Sequence, residues 1–267
     1  MNNLKQNYMI TEVQDGYVKT EKEHGITTIE FYHPKGNSLP GKLLETIAQA
    51  IHSEGVDTNT KVIILRSAGT GAFCSGASFD ELENIKTAEE GATFFRGFAK
   101  IINAMRRAPK FIIVRIHGKC IGGAVGIAAA ADYAIAVEGA DIKLSELAVG
   151  IGPFVVGPAV QRKIGLSPFT QLTIDAGMWR PADWARRKGL YAELHPELTG
   201  MDDSIERLSF TLSHSNPDAM KELKKVFWAG TENWDDLLNE RAAISGRLIL
   251  SEYSRDFIQK FKAKGKQ

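Results

Sequence analysis

Three short stretches of this sequence combine residue types that can do chemistry. The first is residues 73–79, FCSGASF, a glycine-containing loop that leaves an apolar run and heads toward a helical pattern. Loops at strand ends are where open α/β proteins take their ligands. The second is Ile121-Gly122-Gly123-Ala124, where two glycines open a helix directly after a strand and turn. Glycine lets another group approach the backbone. The first N–H groups of a helix lack internal partners and its dipole favours negative charge, so this corner suits an oxyanion. The third is Glu146 in KLSELAVGIGPF, a carboxylate among mostly apolar residues shortly before a Gly-x-Pro turn. Apolar surroundings raise a carboxyl pKa toward the range of a general base. Each stretch also has a plainer reading. These are turn-forming glycines in a connection, close helix-on-strand packing at Gly122, Gly123 and Gly126, and a helix-start or surface glutamate at position 146.

Other chemistries lack their residues. The glycine turn is neither a Walker A loop nor a dinucleotide fingerprint, because the lysine, serine and glycine spacings are wrong. No GxSxG elbow occurs, and His117 has no aspartate or nucleophile at motif spacing, so no Ser-His-Asp triad can be assembled. Cys74 lies in the first loop, where a small buried thiol is the plainer reading. Neither cysteine sits in a CxxC or His/Cys ligand spacing.

The elements that must position these stretches follow from periodicity. Tyr17 and Val18, a charged turn, and the run from Gly25 to Pro34 read as a hairpin. Leu43, Leu44, Ile47 and Ile51 give helical spacing over residues 41–53. KVIILR (61–66), FIIVRI (111–116) and YAIAVEG (133–139) are apolar runs of strand length, as in strands covered on both faces. Helices are expected from Asp80 and over residues 89–107, the latter ended by Pro109. Strand, crossover and strand thus repeat, which defines an α/β class with parallel buried strands and helices outside. Beyond about Gly200 the pattern is helical only, over 202–214, 217–228 and 234–261. The expected division is a core over 1–200 and a helical C-terminal subdomain over 201–267.

Composition sets the outer limits. With 267 residues, 43% apolar and 24% charged, the chain can bury one sizeable core and an appendage. Its 33 basic and 32 acidic residues nearly cancel, so no overall field draws it to nucleic acid or an anionic membrane. Any anionic ligand must be held locally. The lysine tail at 260, 262, 264 and 266 reads as a solvated end. Two cysteines, Cys74 and Cys120, are too few for a disulfide framework and point to a reducing, cytoplasmic setting. The N-terminal residues show no signal or transit pattern. The stretch 120–137 is interrupted by Asp132 and is alanine-rich, so a buried helix and strand explain it better than a membrane span.

Taken together, NSLP at Asn37, VIILRSAGTGAFCSGASFDEL, HGKCIGGAVGIAAAAD and LSELAVGIGPF, followed by the helical C-terminus, resemble the crotonase superfamily, the enoyl-CoA hydratase and isomerase family, over nearly the whole chain. The resemblance implies a crotonase-like spiral of repeated ββα units and a C-terminal subdomain used to form a homotrimer or dimer of trimers. It implies an acyl-CoA thioester as substrate, with coenzyme A part of the substrate and no metal or redox cofactor. It carries over an oxyanion hole made by the backbone N–H groups of Ala77 and Gly123, Glu146 as the catalytic base, and substrate contacts at Ser38, Ser75, Ser78, Phe79, Ile121 and Ser145. Fixed donors aimed at a thioester oxygen stabilise the enolate formed there. The family's hydration pattern uses two glutamates, and the earlier one falls at Gly126 here. Its monofunctional isomerases resemble this chain in keeping only the later one, so a one-base Δ3-Δ2 enoyl-CoA isomerase is favoured. The alternatives are 2-enoyl-CoA hydration, branched chains included, acyl-CoA decarboxylation or hydrolysis, and non-catalytic acyl-CoA binding. Asp80 or Glu81 is a candidate second acid. Phe94, Phe95, Phe98, Phe154, Trp179 and the C-terminal helices are expected to shape the pocket, and Trp228 and Trp234 to serve packing.

Overall fold

The computed structural model describes residues 8–264, so Lys266 of the lysine tail and the first seven residues lie outside the described residues. The chain opens with β1 (Tyr8–Val13), β2 (Gly16–Glu23) and β3 (Ile26–Tyr32), joined by tight turns that hold Gln14, His24 and Gly25 at positive φ. Helix α1 (Gly41–Val56) buries Leu43, Leu44, Ile47 and Ile51, the stripe expected from their spacing, and leads to β4 (Val62–Ser67). A loop then enters α2 (Phe79–Asn84) and α3 (Ala88–Arg107). The start of α3 is set by a reciprocal cap, in which Thr87 Oγ1 accepts from the Glu90 N–H and the Glu90 carboxylate accepts from the Thr87 N–H. Next come β5 (Phe111–Ile116), β6 (Cys120–Ile121), α4 (Gly123–Ala130), β7 (Tyr133–Val137) and β8 (Ile142–Lys143). They are followed by α5 (Gly157–Ile164), α6 (Leu166–Ile174), α7 (Ala182–Arg187) and β9 (Glu193–His195). Four helices close the chain: α8 (Leu198–Ser213), α9 (Pro217–Phe227), α10 (Trp234–Leu248) and α11 (Glu252–Lys264).

Seven strands form one mixed sheet in the order β1-β2-β3-β4-β5-β7-β9, antiparallel up to β3 and parallel from there. Val62, Ile63, Leu65, Ile112, Ile113 and Val114 are buried, as continuous aliphatic runs in a sheet covered on both faces should be. A smaller layer stands beside it. The parallel pair β6-β8 is its centre, and isolated bridges Leu39↔Ala77, Cys74↔Cys120 and Ile142↔Arg180 extend it on both sides. From β4 to β8, each turn gives one strand to the large sheet, one short extended piece to the small layer and then a helical segment of one or more helices. This is the expected ββα spiral.

All eight residues of α4 are buried, which accounts for the alanine-rich run, and no helix among the described residues is long and apolar enough to cross a membrane. The helical run expected over 234–261 is two helices. Ser251 accepts from the Ser254 N–H and the Ser254 hydroxyl donates to the Leu248 carbonyl, so the backbone turns while Ile249 stays buried. Helix α8 starts before the boundary expected after residue 200 and lies against β4, β5, β7 and β9. Strand β1 was not anticipated, since Tyr8, Met9 and Ile10 are exposed on the sheet edge and carry no burial pattern. The C-terminal helices fold back over the core. Helix α10 crosses α3 so closely that a Cβ on Gly91 would come 2.7 Å from the Gly246 backbone, and α11 packs on α2.

Candidate active site

The small layer ends at a cavity of about 730 Å³, and all nine residues expected from the sequence line it: Ser38, Ser75, Ala77, Ser78, Phe79, Ile121, Gly123, Ser145 and Glu146. The loop that carries Ala77 is clamped from one side. Leu39 donates to the Gly76 carbonyl at 2.8 Å and Ser78 donates to the Leu39 carbonyl at 3.3 Å. In such a bridge the middle residue turns its own N–H away from the partner strand. The Ala77 N–H therefore faces the Ile121–Gly123 corner and finds no acceptor among the described residues. Gly76 adopts φ +85°, and a Cβ on it would come 2.8 Å from the Ile121 carbonyl oxygen and 3.7 Å from the Gly123 nitrogen. Only glycine permits that turn beside that corner.

Gly122 has φ 55° and ψ −119°, a region left to glycine, and its N–H donates to the Lys143 carbonyl at 2.8 Å. This bend starts α4 and leaves the Gly123 N–H, the first of the helix, without an acceptor among the described residues. Gly123 also packs face-on against Phe98, whose ring would lie 2.1 Å from a Cβ there. Close packing and an exposed donor thus coexist at one glycine. Two N–H groups without an acceptor among the described residues thus belong to the two segments that meet at this corner, the arrangement an oxyanion could use.

Glu146 begins a tight turn, its carbonyl accepting from the Val149 and Ile151 N–H groups at 3.1 Å each. The turn holds the carboxyl against the corner, with Oε1 within 3.3 Å of the position a Gly122 Cβ would take. The residue as a whole is half-buried, but Oε2 is buried and has no hydrogen-bond partner. Burial raises its pKa to about 7, against a smaller lowering by its own backbone N–H.

At the cavity mouth the electrostatics are opposite. Asp80 pairs with Lys262 at 2.8 Å and with Lys35, and hydrogen bonds from these ammonium groups lower its pKa to about 2. Glu81 is turned away and accepts from the Gly41 N–H at 2.7 Å at the start of α1. Neither is placed as a second acid beside Glu146. At Gly126 a Cβ would lie 2.5 Å from Val156 Cβ and Cγ1, so this position offers no space for a longer side chain.

The hydroxyls divide. Ser38 bonds His33 Nδ1 at 3.0 Å and Ser75 donates to the Gly36 carbonyl at 2.5 Å, so both shape the loop wall. Ser78 is buried at the start of α2, and Ser145 Oγ lies 3.7 Å from the Gly122 Cβ position. Phe95, Phe98, Phe154 and Trp179 line the cavity as expected. Phe94 does not, and packs edge-on behind Phe95 and Phe98. Trp228 and Trp234 pack edge-on against each other away from the cavity. Missed from the sequence were Lys143, Val156 and, on α11, Phe257, Phe261 and Lys262. The i, i+4 pair Phe257 and Phe261 was the available signal, and Phe261 meets Phe79 edge-on at 4.7 Å. Cys74 and Cys120 are both buried and free, and burial raises the Cys74 thiol to about 12.

Residues 21–266 match the family model described as Enoyl-CoA hydratase/isomerase. A probable enoyl-CoA hydratase of Bacillus subtilis is 24% identical over 243 residues, 90% of this chain and 93% of that protein. A trans-2-decenoyl-[acyl-carrier-protein] isomerase of Streptococcus mutans is 25% identical over 226 residues, 80% and 84% of the two chains. The crystal structure of an enoyl-CoA hydratase from Bacillus halodurans superposes with a TM-score of 0.83 at 20% identity, covering 91% of this chain and 99% of that one. At that identity the likeness concerns the fold.

Proposed function

Since the chain belongs to the enoyl-CoA hydratase/isomerase family, we propose that it is a one-base Δ3-Δ2 enoyl-CoA isomerase with Glu146 as the base. The observation that carries this is the set of carboxylates on the cavity wall. Glu146 is the one without an ionic partner, and Val156 fills the space beside Gly126 where a second would stand. Glu146 takes a proton from C2 of a 3-enoyl thioester. The electron pair moves onto the thioester oxygen, where the Ala77 and Gly123 N–H groups hold it. The same carboxyl returns the proton at C4, and the double bond settles between C2 and C3. A pKa of about 7 suits both directions of transfer, because neither protonation state is strongly favoured at neutral pH.

Hydration of a 2-enoyl thioester is the second reading, supported by the hydratase name of the Bacillus subtilis relative and by the free Oε2 of Glu146, which has a lone pair for one water. The two readings separate on substrates. With a 3-enoyl-CoA, isomerisation raises the conjugated-thioester absorbance. With a 2-enoyl-CoA, hydration lowers it. The expected result is a rise only, with kcat/KM increasing toward a plateau above about pH 7 as Glu146 loses its proton. A fall with the 2-enoyl substrate would transfer the proposal to hydration. A homotrimer is part of the same reading. Exposed Leu223, Val226 and Phe227 on α9 supply an apolar face for it, and a solution mass of one chain would remove it.

A further inference from the structure

Resting on the acyl-thioester reading above, we infer that the acyl group of the substrate carries a carboxylate, held by Lys143 on the cavity wall. Three lysines line the cavity, Lys35, Lys143 and Lys262. Lys35 pairs with Asp80, and Lys262 with Asp80 and Glu83, so the mouth is charge-balanced. Lys143 has neither an acidic partner nor a hydrogen-bond acceptor for its ammonium among the described residues. Glu146 does not pair with it either, since its buried Oε2 has no hydrogen-bond partner among the described residues. The Lys143 ammonium lies instead 5.6 Å from the centre of the Trp179 ring, and Lys119, likewise without an acid, lies 4.8 Å from the same ring. An aromatic face stabilises a cation without cancelling its charge. The half-buried Lys143 is thus the uncompensated cation of the cavity.

Its place in the small layer says which anion it meets. Lys143 is in register with Ile121, and its carbonyl takes the Gly122 N–H. It lies on the same side of the extended segment as Ser145, three residues before the base. The bridge Ile142↔Arg180 sets Trp179 beside it as the next neighbour outward. The Ser75–Ala77 piece stands on the opposite flank, next to Leu39 and the balanced mouth. Two strand spacings, roughly 10 Å, separate the flanks. The Lys143 backbone adjoins the oxyanion corner, so an anion on the acyl side is nearer to it than the phosphates at the far end of a pantetheine arm. A carboxylate a few carbons beyond the thioester carbonyl is within a lysine's length, with Trp179 against the intervening methylenes.

The test measures binding of two saturated thioesters with five acyl carbons, glutaryl-CoA and pentanoyl-CoA, by titration calorimetry, so that no turnover is needed. Pantetheine thioesters of the same acids, which lack the nucleotide phosphates, are run beside them. A hydrogen-bonded ion pair predicts about tenfold or more tighter binding of the glutaryl compound on either carrier. Lys143→Met is expected to abolish that preference and Lys143→Arg to keep it. Equal affinity of the wild-type protein for both acyl groups would overturn the inference, and that arm needs no variant to fold. Equal weakening of both CoA thioesters by Lys143→Met, without effect on the pantetheine thioesters, would also overturn it by assigning Lys143 to the carrier. If no thioester binds, the acyl-thioester reading itself falls.

Discussion

Glu146 and Asp80 line one cavity and are pushed in opposite directions. At the floor, burial without a partner lifts Glu146 to about 7, and at the mouth two lysines hold Asp80 near 2. The carboxyl chemistry is the same in both, so the environment alone assigns the roles. A group poised to exchange protons at neutral pH must give up the partners that would stabilise its charge. A group that fastens two elements together must keep them. Asp80, with Lys35 and Lys262, ties the start of α2 to the loop before α1 and to α11. Glu146 is anchored through its backbone turn, and its Oε2 has no hydrogen-bond partner among the described residues.

The sharpest way to break this contrast is to remove the proton exchange at the floor. Glu146→Gln is expected to lower kcat by about 10³-fold, measured as turnover of the 3-enoyl thioester. Forcing a second carboxylate onto the floor tests its packing. Gly126→Glu is expected to cost about 3 kcal/mol in denaturant unfolding, by collision with Val156 and burial of an unpaired charge, and to bring no hydration. The raised pKa has a stability cost of its own. The unfolded chain releases the Glu146 proton from about pH 4.5 and the folded one only near 7, so this site loses stability as pH rises between those values. Glu146→Gln is therefore expected to be more stable than the parent by about 3 kcal/mol at pH 8 and to converge with it below pH 4.5. At the mouth the sign reverses, because Asp80 contributes stability above its ordinary value of 3.8 that is lost as pH falls toward 2. Asp80 and Lys35 are solvent-exposed and Lys262 partly so, and Asp80→Asn is expected to cost less than about 1 kcal/mol and to leave the pH dependence of kcat unchanged.

Much of this was legible in the chain. Two-sided burial wrote β4 and β5 as apolar runs, and the glycines at 122 and 123 announced a helix start with free donors. Less legible was whatever depends on distant segments meeting. Phe257, Phe261 and Lys262 reach the cavity because α10 and α11 break at Ile249–Ser251, where two serine hydroxyls cap the turn. Periodicity sees one continuous stripe there, since α10 and α11 both bury apolar faces. Asp80 read as a candidate acid because sequence shows a carboxylate and not the two ammonium groups that meet it.

Local chemistry, then, was determined by sequence: which residues can donate, which can take a proton, and where glycine is needed for a bend or a close approach. Tertiary structure decided which of these are unpaired. The Ala77 N–H is free because Leu39 clamps the other edge of its loop. Among the described residues Glu146 Oε2 has no partner and no acid pairs with Lys143, while Asp80 and Glu83 are taken by the lysines of the mouth. Whether a polar group has a partner is a property of how segments far apart in the chain are brought together. It is also what sets desolvation, pKa and affinity.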